Sequence, residues 1–180
     1  MDSASLIRII QQDARSLVES LYAELRTNLG TSHYHRLSNE ELFRRGQAVY
    51  QNLADWLASH DEAAVRSYGE DLGRRRFAEG IPLGQVVLAL ILNENHLWDH
   101  VSSLKQPADE NLRHQVSDFF ARTIYHTARG YERQLAAGDR RSRQEAAPPQ
   151  HEGVAAAKAP ASDTKDLEIS RGGDVGELGG

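Results

Sequence analysis

No cysteine occurs anywhere in the chain. That excludes disulfide staples, thiolate nucleophiles, iron–sulfur clusters and cysteine-type zinc sites together, and leaves packing as the only support for a fold. A cationic excess is also missing: 21 Lys and Arg stand against 26 Asp and Glu, a formal net charge of −5. Nothing in the overall balance draws the chain to a polyanion, so nucleic acid is not the expected partner. Long apolar runs are lacking as well. The longest low-charge apolar run, Ile81 to Asn93, has 13 residues, short of the roughly 20 that a membrane span needs. The start, MDSASLIRII, has an acid before its apolar residues and Arg8 soon after, which is not the order of a secretion signal. The expectation is a soluble, cytoplasmic protein with no membrane partner.

Aromatic residues are few, and all lie between Tyr22 and Tyr131. After Leu135 the composition changes. Residues 138–180 hold seven of the 14 glycines and three of the five prolines, but only five Val, Ile or Leu. Such a segment buries too little to offset its ordering entropy. Two parts are therefore expected, a folded domain over residues 1–137 and a disordered tail over 138–180. The LEI stretch, Leu167 to Ile169, flanked by acids, reads either as a docking peptide or as chance, and chance is the plainer reading in a tail this poor in apolar groups.

The first part carries apolar residues at helical period with no alternation at period two. It reads as all-α, a single bundle of about five helices. The first helix runs from about Ser5 to Asn28, with Leu6, Ile10, Leu17, Leu21 and Leu25 on one stripe. The second opens at Ser38-Asn39-Glu40-Glu41, a capping box in which Ser38 and Glu41 serve each other's free backbone donors. The third begins near Asp61 and stops at Gly80. Pro82 then enters the first turn of the fourth, where its missing N–H costs nothing. In this corner Arg74, Arg75 and Arg76 occupy the last turns of the third helix, where cations face the negative end of the macrodipole. The charge cluster against the apolar run is thus a helix end beside a helix start, and not a nucleic-acid patch or a membrane anchor. A fifth helix follows Pro107, with Leu112, Val116, Phe119, Phe120 and Thr123 inward.

At 100° per residue, Leu83, Val86, Val87, Leu90, Leu97, Val101 and Leu104 share one face of the fourth helix, with Glu94 in its middle. Arg76 is likewise the odd cation on the inward side of the third. A buried charge must be paired, so Arg76 and Glu94 are expected to form an ion pair, first a fold-specifying contact and second a ligand or proton switch. Beside it, Asn93 makes a polar patch. His96 and His100 are four apart, a spacing that offers two imidazoles to one metal or cofactor, but no third ligand is fixed by spacing and solvated or core-flanking imidazoles are the plainer reading. His33 and His35, between the first two helices, are ordinary loop histidines. Arg140, Arg141 and Arg143 form a second basic group, diluted by Asp139 and Glu145. No phosphate loop, nucleophile elbow or paired-carboxylate constellation is present, so neither catalysis nor a resident cofactor or metal is expected.

Read as a whole, Leu53 to Trp98, and above all LADWLASHDEAAVRSYGEDLGRRRFAEGIPLGQVVLAL, resembles the N-terminal domain of RsbT co-antagonist proteins, the input modules of bacterial stressosomes, a domain also found in front of helix-turn-helix regulators and kinases. Trp56-Leu57, Tyr68, Leu72-Gly73-Arg74, Arg76, Gly80-Ile81-Pro82-Leu83 and Leu97-Trp98 carry the resemblance, with Tyr34-His35-Arg36-Leu37-Ser38 ahead of them. Asn93 and Glu94 stand where the family pattern is aliphatic or basic. The resemblance implies a non-catalytic helical sensor or interaction module. Its expected partners are regulatory proteins (a kinase, an anti-sigma factor or stressosome components), and its expected form is a homodimer. The other reading is a helical protein that holds a small molecule, haem or metal at the polar patch of the fourth helix.

Overall fold

The computed structural model describes residues 1–105 and 107–146. Five α-helices follow one another: α1 (Ser3–Thr27), α2 (Asn39–Ser59), α3 (Glu62–Ala78), α4 (Leu83–Ser103) and α5 (Glu110–Ala146), with a 3-10 stretch, Leu29–Arg36, between α1 and α2. Among the described residues there is no strand. The all-α bundle expected from the apolar period is the fold observed. One boundary differs: Gly138–Ala146, expected in the tail, continue α5 as helix. The rest of the expected tail, with Leu167 to Ile169, lies outside the described residues.

Local chemistry sets the helix ends. Asp2 Oδ1 accepts from Ser5 N at 2.9 Å and starts α1. Ser38 Oγ accepts from Glu41 N at 3.1 Å and starts α2. Only this half of the expected capping box forms, because the Glu41 carboxylate is taken by Arg44 and Arg45. Asp61 Oδ1 accepts from Ala63 N and Ala64 N at the head of α3. At the α3–α4 corner Gly80 has φ 69°. Its N–H bonds Phe77 O at 2.9 Å, and the Ile81 N–H bonds Arg76 O at 3.0 Å. This double closure is the Schellman motif, which calls for a left-handed residue and therefore favours glycine. Ile81 is buried beneath it. Pro82 occupies the N-cap of α4, one residue earlier than expected, with φ −56°.

The core is one cluster running through all five helices, with Leu6, Leu17, Tyr50, Leu53, Leu97, Val116, Phe119 and Phe120 among its fully enclosed members. On α4 the buried residues are Val86, Ala89, Leu90, Leu92, Asn93, Leu97 and Val101. Leu83 and Val87 are only partly covered and Leu104 is 37% exposed, so the face is rotated from the one read off the sequence. Its central polar residue is Asn93, not Glu94.

Helices α3 and α5 meet backbone to backbone. A Cβ on Gly73 would stand 2.1 Å from Thr127 O, one on Gly69 2.6 Å from His126 Cβ, and one on Gly130 2.2 Å from Glu70 O. Only hydrogen fits at these three points. Thr123 and Thr127 are wholly buried in the same seam, and Phe77 meets Tyr131 edge to face at 5.2 Å. Arg133 to Glu70 (2.5 Å) and Arg122 to Glu62 (2.9 Å) tie its rims.

Two glycine substitutions should therefore move stability in opposite directions. Gly73→Ala gains helix propensity but must separate two backbones, and overpacking of this kind costs about 1–3 kcal/mol. At about 2–4 °C per kcal/mol for a domain of this size, calorimetry should record a lower Tm. Gly84→Ala, in the first turn of α4 with nothing within 4 Å of its Cβ, should gain about 0.5–1 kcal/mol and raise it.

Candidate functional site: a cavity behind an arginine–glutamate network

The ends of α2 and α3 bring charged residues together over a gap in the core. The gap is a cavity of about 330 Å³, within the usual range of small-molecule sites. Its walls come from α1, the 3-10 stretch, α2, α3 and α4, and the apolar part includes Leu21, Leu25, Val49, Leu72, Val86 and Leu90.

Charge is arranged in depth. Arg44 and Arg75 lie at the rim, with well-exposed side chains. Farther in are Arg45 and Arg76, whose side chains are 13% and 9% exposed. Arg45 spans two acids: its Nε meets Glu41 Oε1 at 2.5 Å and its Nη1 meets Glu79 Oε2 at 2.9 Å. Arg76 Nη1 donates to both oxygens of Glu79, at 3.1 and 3.0 Å. Two helices that pack sparsely elsewhere are joined here by one carboxylate. Pairing with the two arginines lowers the pKa of Glu41 despite its partial burial.

Tyr34, Tyr68 and Asn93 add polar groups to the lining. Burial pushes the Tyr68 hydroxyl up to about 12, with Arg76 and Arg75 opposing the shift. Tyr34 is raised for the same reason, against the pull of Arg76 and Arg45. Both phenols stay neutral, and the Tyr34 hydroxyl hydrogen-bonds Arg76. Asn93 is 95% enclosed, with 5% relative exposure. Its Nδ2 donates to Ala89 O at 2.6 Å, and its backbone carbonyl accepts from Tyr50 Oη at 3.1 Å. Its Oδ1 has no partner among the described residues. Turning the amide over would set oxygen against the Ala89 carbonyl, so the orphan acceptor follows from the site and not from the choice of rotamer.

The expected ion pair is not formed. Arg76 is buried as expected, but it pairs with Glu79 one turn along its own helix, while Glu94 accepts from Ser117 Oγ of α5 at 2.6 Å. The physical reason is the rotation of α4, which directs position 93 to the core and leaves 94 at its edge. His96 and His100 face α1. His96 Nε2 meets Glu24 Oε2 at 2.8 Å and His100 Nε2 meets Asp13 Oδ2 at 3.0 Å, so each imidazole has its own carboxylate. Among the described residues no group of three or more His, Asp or Glu is placed to hold a metal ion. His35 Nε2 lies 3.1 Å from Asn28 O. His33 is held through its backbone N–H, which donates to Gln85 Oε1 at 2.9 Å. Arg74 pairs with Asp71 at 2.5 Å, and Arg140, Arg141 and Arg143 are exposed on the last turns of α5. Sequence reasoning found Arg76 and Asn93 but missed Arg45, Glu79, Tyr34 and Tyr68 as one cluster. The available signal was Arg45 on the second helix, a cation three residues past the Leu42 that begins its apolar face.

The orphan acceptor on Asn93 costs stability, since an unpartnered buried polar group carries about 1–3 kcal/mol of desolvation. Asn93→Leu should raise the unfolding midpoint in urea with an unchanged denaturant slope, a gain of about 1 kcal/mol or more. A loss of stability would show that the amide is held by something else.

Among the described residues no helix is long and apolar enough to cross a membrane. Neither a curated relative nor a solved structure matches the chain. One family does: the RsbT co-antagonist protein rsbRD N-terminal domain, matched over residues 15–152. The match takes in α2, α3 and α4 whole, with every residue of the cavity and its charged network. It agrees with the resemblance carried by the Leu53 to Leu90 segment and the Gly80-Pro82 corner. The chain belongs to the RsbT co-antagonist rsbRD N-terminal domain family, whose members are signalling modules of the stressosome type.

Proposed function

We propose that the protein is a non-catalytic, cytoplasmic input module that converts a change of packing around the cavity into a movement of α5, read by a regulatory protein such as a kinase, an anti-sigma factor or a stressosome component. The working form is a homodimer. The observation that carries this reading is the double engagement of α3. One side of the helix lines the cavity through Tyr68, Leu72, Arg75 and Arg76. The adjoining side is pressed against α5 at Gly69 and Gly73 with no side chain between the backbones. A helix held so closely transmits a displacement to its neighbour instead of absorbing it in side-chain rotation, because packed interiors deform little.

Helix α5 is suited to carry that displacement outward. Beyond Arg133, whose guanidinium reaches Glu70, it continues 13 residues to Ala146, about 20 Å at ~1.5 Å per residue. Residues 138–144 are all exposed and Leu135 is 50% exposed. Two arrangements separated by a few kcal/mol are enough for a switch, and the polar network between α2 and α3 is a place where such a balance is built.

Capture with the full chain from its native cell, followed by native mass measurement, tests the proposal. The expected catch is a kinase, an anti-sigma factor or stressosome proteins, on a dimer of this chain. Leu135→Glu should weaken that capture about tenfold or more, as loss of an interface anchor does, while Tm stays within the range of a surface change. Recovery of metabolic enzymes alone, or capture indifferent to Leu135→Glu and to removal of residues 138–146, would defeat the reading.

A further inference from the structure

We infer that the cavity is the receptor site for a small monocarboxylic acid with an apolar body and a second, hydrogen-bond-donating group. This deepens the signalling proposal by naming the class of input, and it rests on that proposal only for what binding would cause.

Three observations converge on this chemistry. The first is unused donor capacity on α3. Arg76 Nη1 donates to Glu79 and the guanidinium also hydrogen-bonds the Tyr34 hydroxyl, which leaves part of its donor set without an acceptor although the side chain is 9% exposed. A guanidinium carries five N–H donors in a planar fork, and a carboxylate matches that fork with two oxygens. The second is the unpartnered acceptor on α4. Asn93 Oδ1 is buried without a donor, in a residue that lines the same cavity; the oxygen itself has almost no exposed surface, so an occupant with a hydroxyl or amide N–H would relieve it by drawing the amide slightly toward the cavity. The third is the wall between them, made of leucine and valine from α1, α2, α3 and α4, which rewards an apolar body and penalises a wholly polar anion.

Charge and size narrow the class. Four arginines and two glutamates line the site, a formal surplus of two positive charges. Glu79 already engages Arg45 and Arg76, and Glu41 engages Arg44 and Arg45. What remains suits one negative charge better than a phosphate dianion, which the two glutamates would repel. The volume of about 330 Å³ is that of about eleven liquid waters at ~30 Å³ each, so the occupant has roughly ten non-hydrogen atoms. Binding would compete with Glu79 for Arg76, and Glu79 is the carboxylate that joins α3 to α2 through Arg45. Loosening that joint is how the ligand would free α3 to move with α5.

Calorimetric titration and thermal shift on the full chain, with para-hydroxyphenylacetate and omega-hydroxyoctanoate as probes, test the site. Each has the acid, the apolar body and the donating hydroxyl. The expected result is saturable binding of at least one probe with a raised Tm. Phenylacetate and octanoate, which lack the hydroxyl, should bind about tenfold or more weakly, as should para-cresol, which lacks the acid, and inorganic phosphate should not bind. Asn93→Leu, expected to fold at least as stably as the parent, should abolish the preference for the hydroxyl while keeping some affinity for the acid. Arg76→Lys, which keeps the charge but not the fork, should lose most affinity for the acids. The inference is overturned if neither hydroxy acid binds at about 1 mM, a limit near −4 kcal/mol, or if binding ignores both substitutions. The two proposals fail separately. Binding without any change in α5 amide exchange would keep the site and defeat the transmission, whereas regulatory partners captured by a chain that binds no probe would keep the signalling reading and defeat the site.

Discussion

The contact on which the rest of the architecture depends is the meeting of two helix backbones. Where Gly69 and Gly73 of α3 face Thr123, His126, Thr127 and Tyr131 of α5, the usual layer of interdigitated side chains is absent, and the pair behaves as one element. Thr123 and Thr127 leave their hydroxyls without partners in that seam, a cost accepted for close approach. With α3 pinned on this side, its adjoining side can only partly fill the space toward α1, α2 and α4. The cavity is the remainder.

That remainder is closed by charge instead of by apolar packing. Burial of an arginine is expensive unless it is paired and hydrogen-bonded, and Arg76 meets the condition through Glu79, which in turn holds Arg45. A joint made of ion pairs differs from one made of leucines in a useful respect. Its energy is the small difference between large desolvation and pairing terms, so an added charge or donor shifts it readily. Nearby, α1 and α4 are fastened by separate His–carboxylate contacts, His96 to Glu24 and His100 to Asp13, and Gln85 ties α4 to the 3-10 stretch through His33 and Ser32. The cavity is therefore framed by elements anchored independently of the network that closes it.

Much of this was legible in the residues alone. The helical period of the apolar residues, the caps at Ser38 and Asp61 and the glycine at position 80 depend on neighbours within one or two turns, and such local signals are read directly from order along the chain. The family was legible for the same reason, since its motif is the Gly80-Pro82 corner with the arginines before it. The inwardness of Arg76 was also readable, because its helix places it on the buried side whatever the partner.

The identity of that partner was not. Face assignment from an ideal period carries an error of tens of degrees, and on α4 the partly covered Leu83, Val87 and Leu104 pulled the expected stripe away from Asn93 toward Glu94. One residue of rotation replaces an amide with a carboxylate at the centre of a core face. The network has the same character: Glu41 and Arg45 are four residues apart, but Glu79 joins them from 34 positions away, a meeting set by how α2 and α3 cross. Sequence order determined which helices form, where they start and stop, and which family they make, because those outcomes are governed by interactions within a turn or two. The void, the residues that surround it and the acceptor left open inside it were decided only by tertiary packing, since a cavity is the volume that several helices fail to fill and no single helix encodes it.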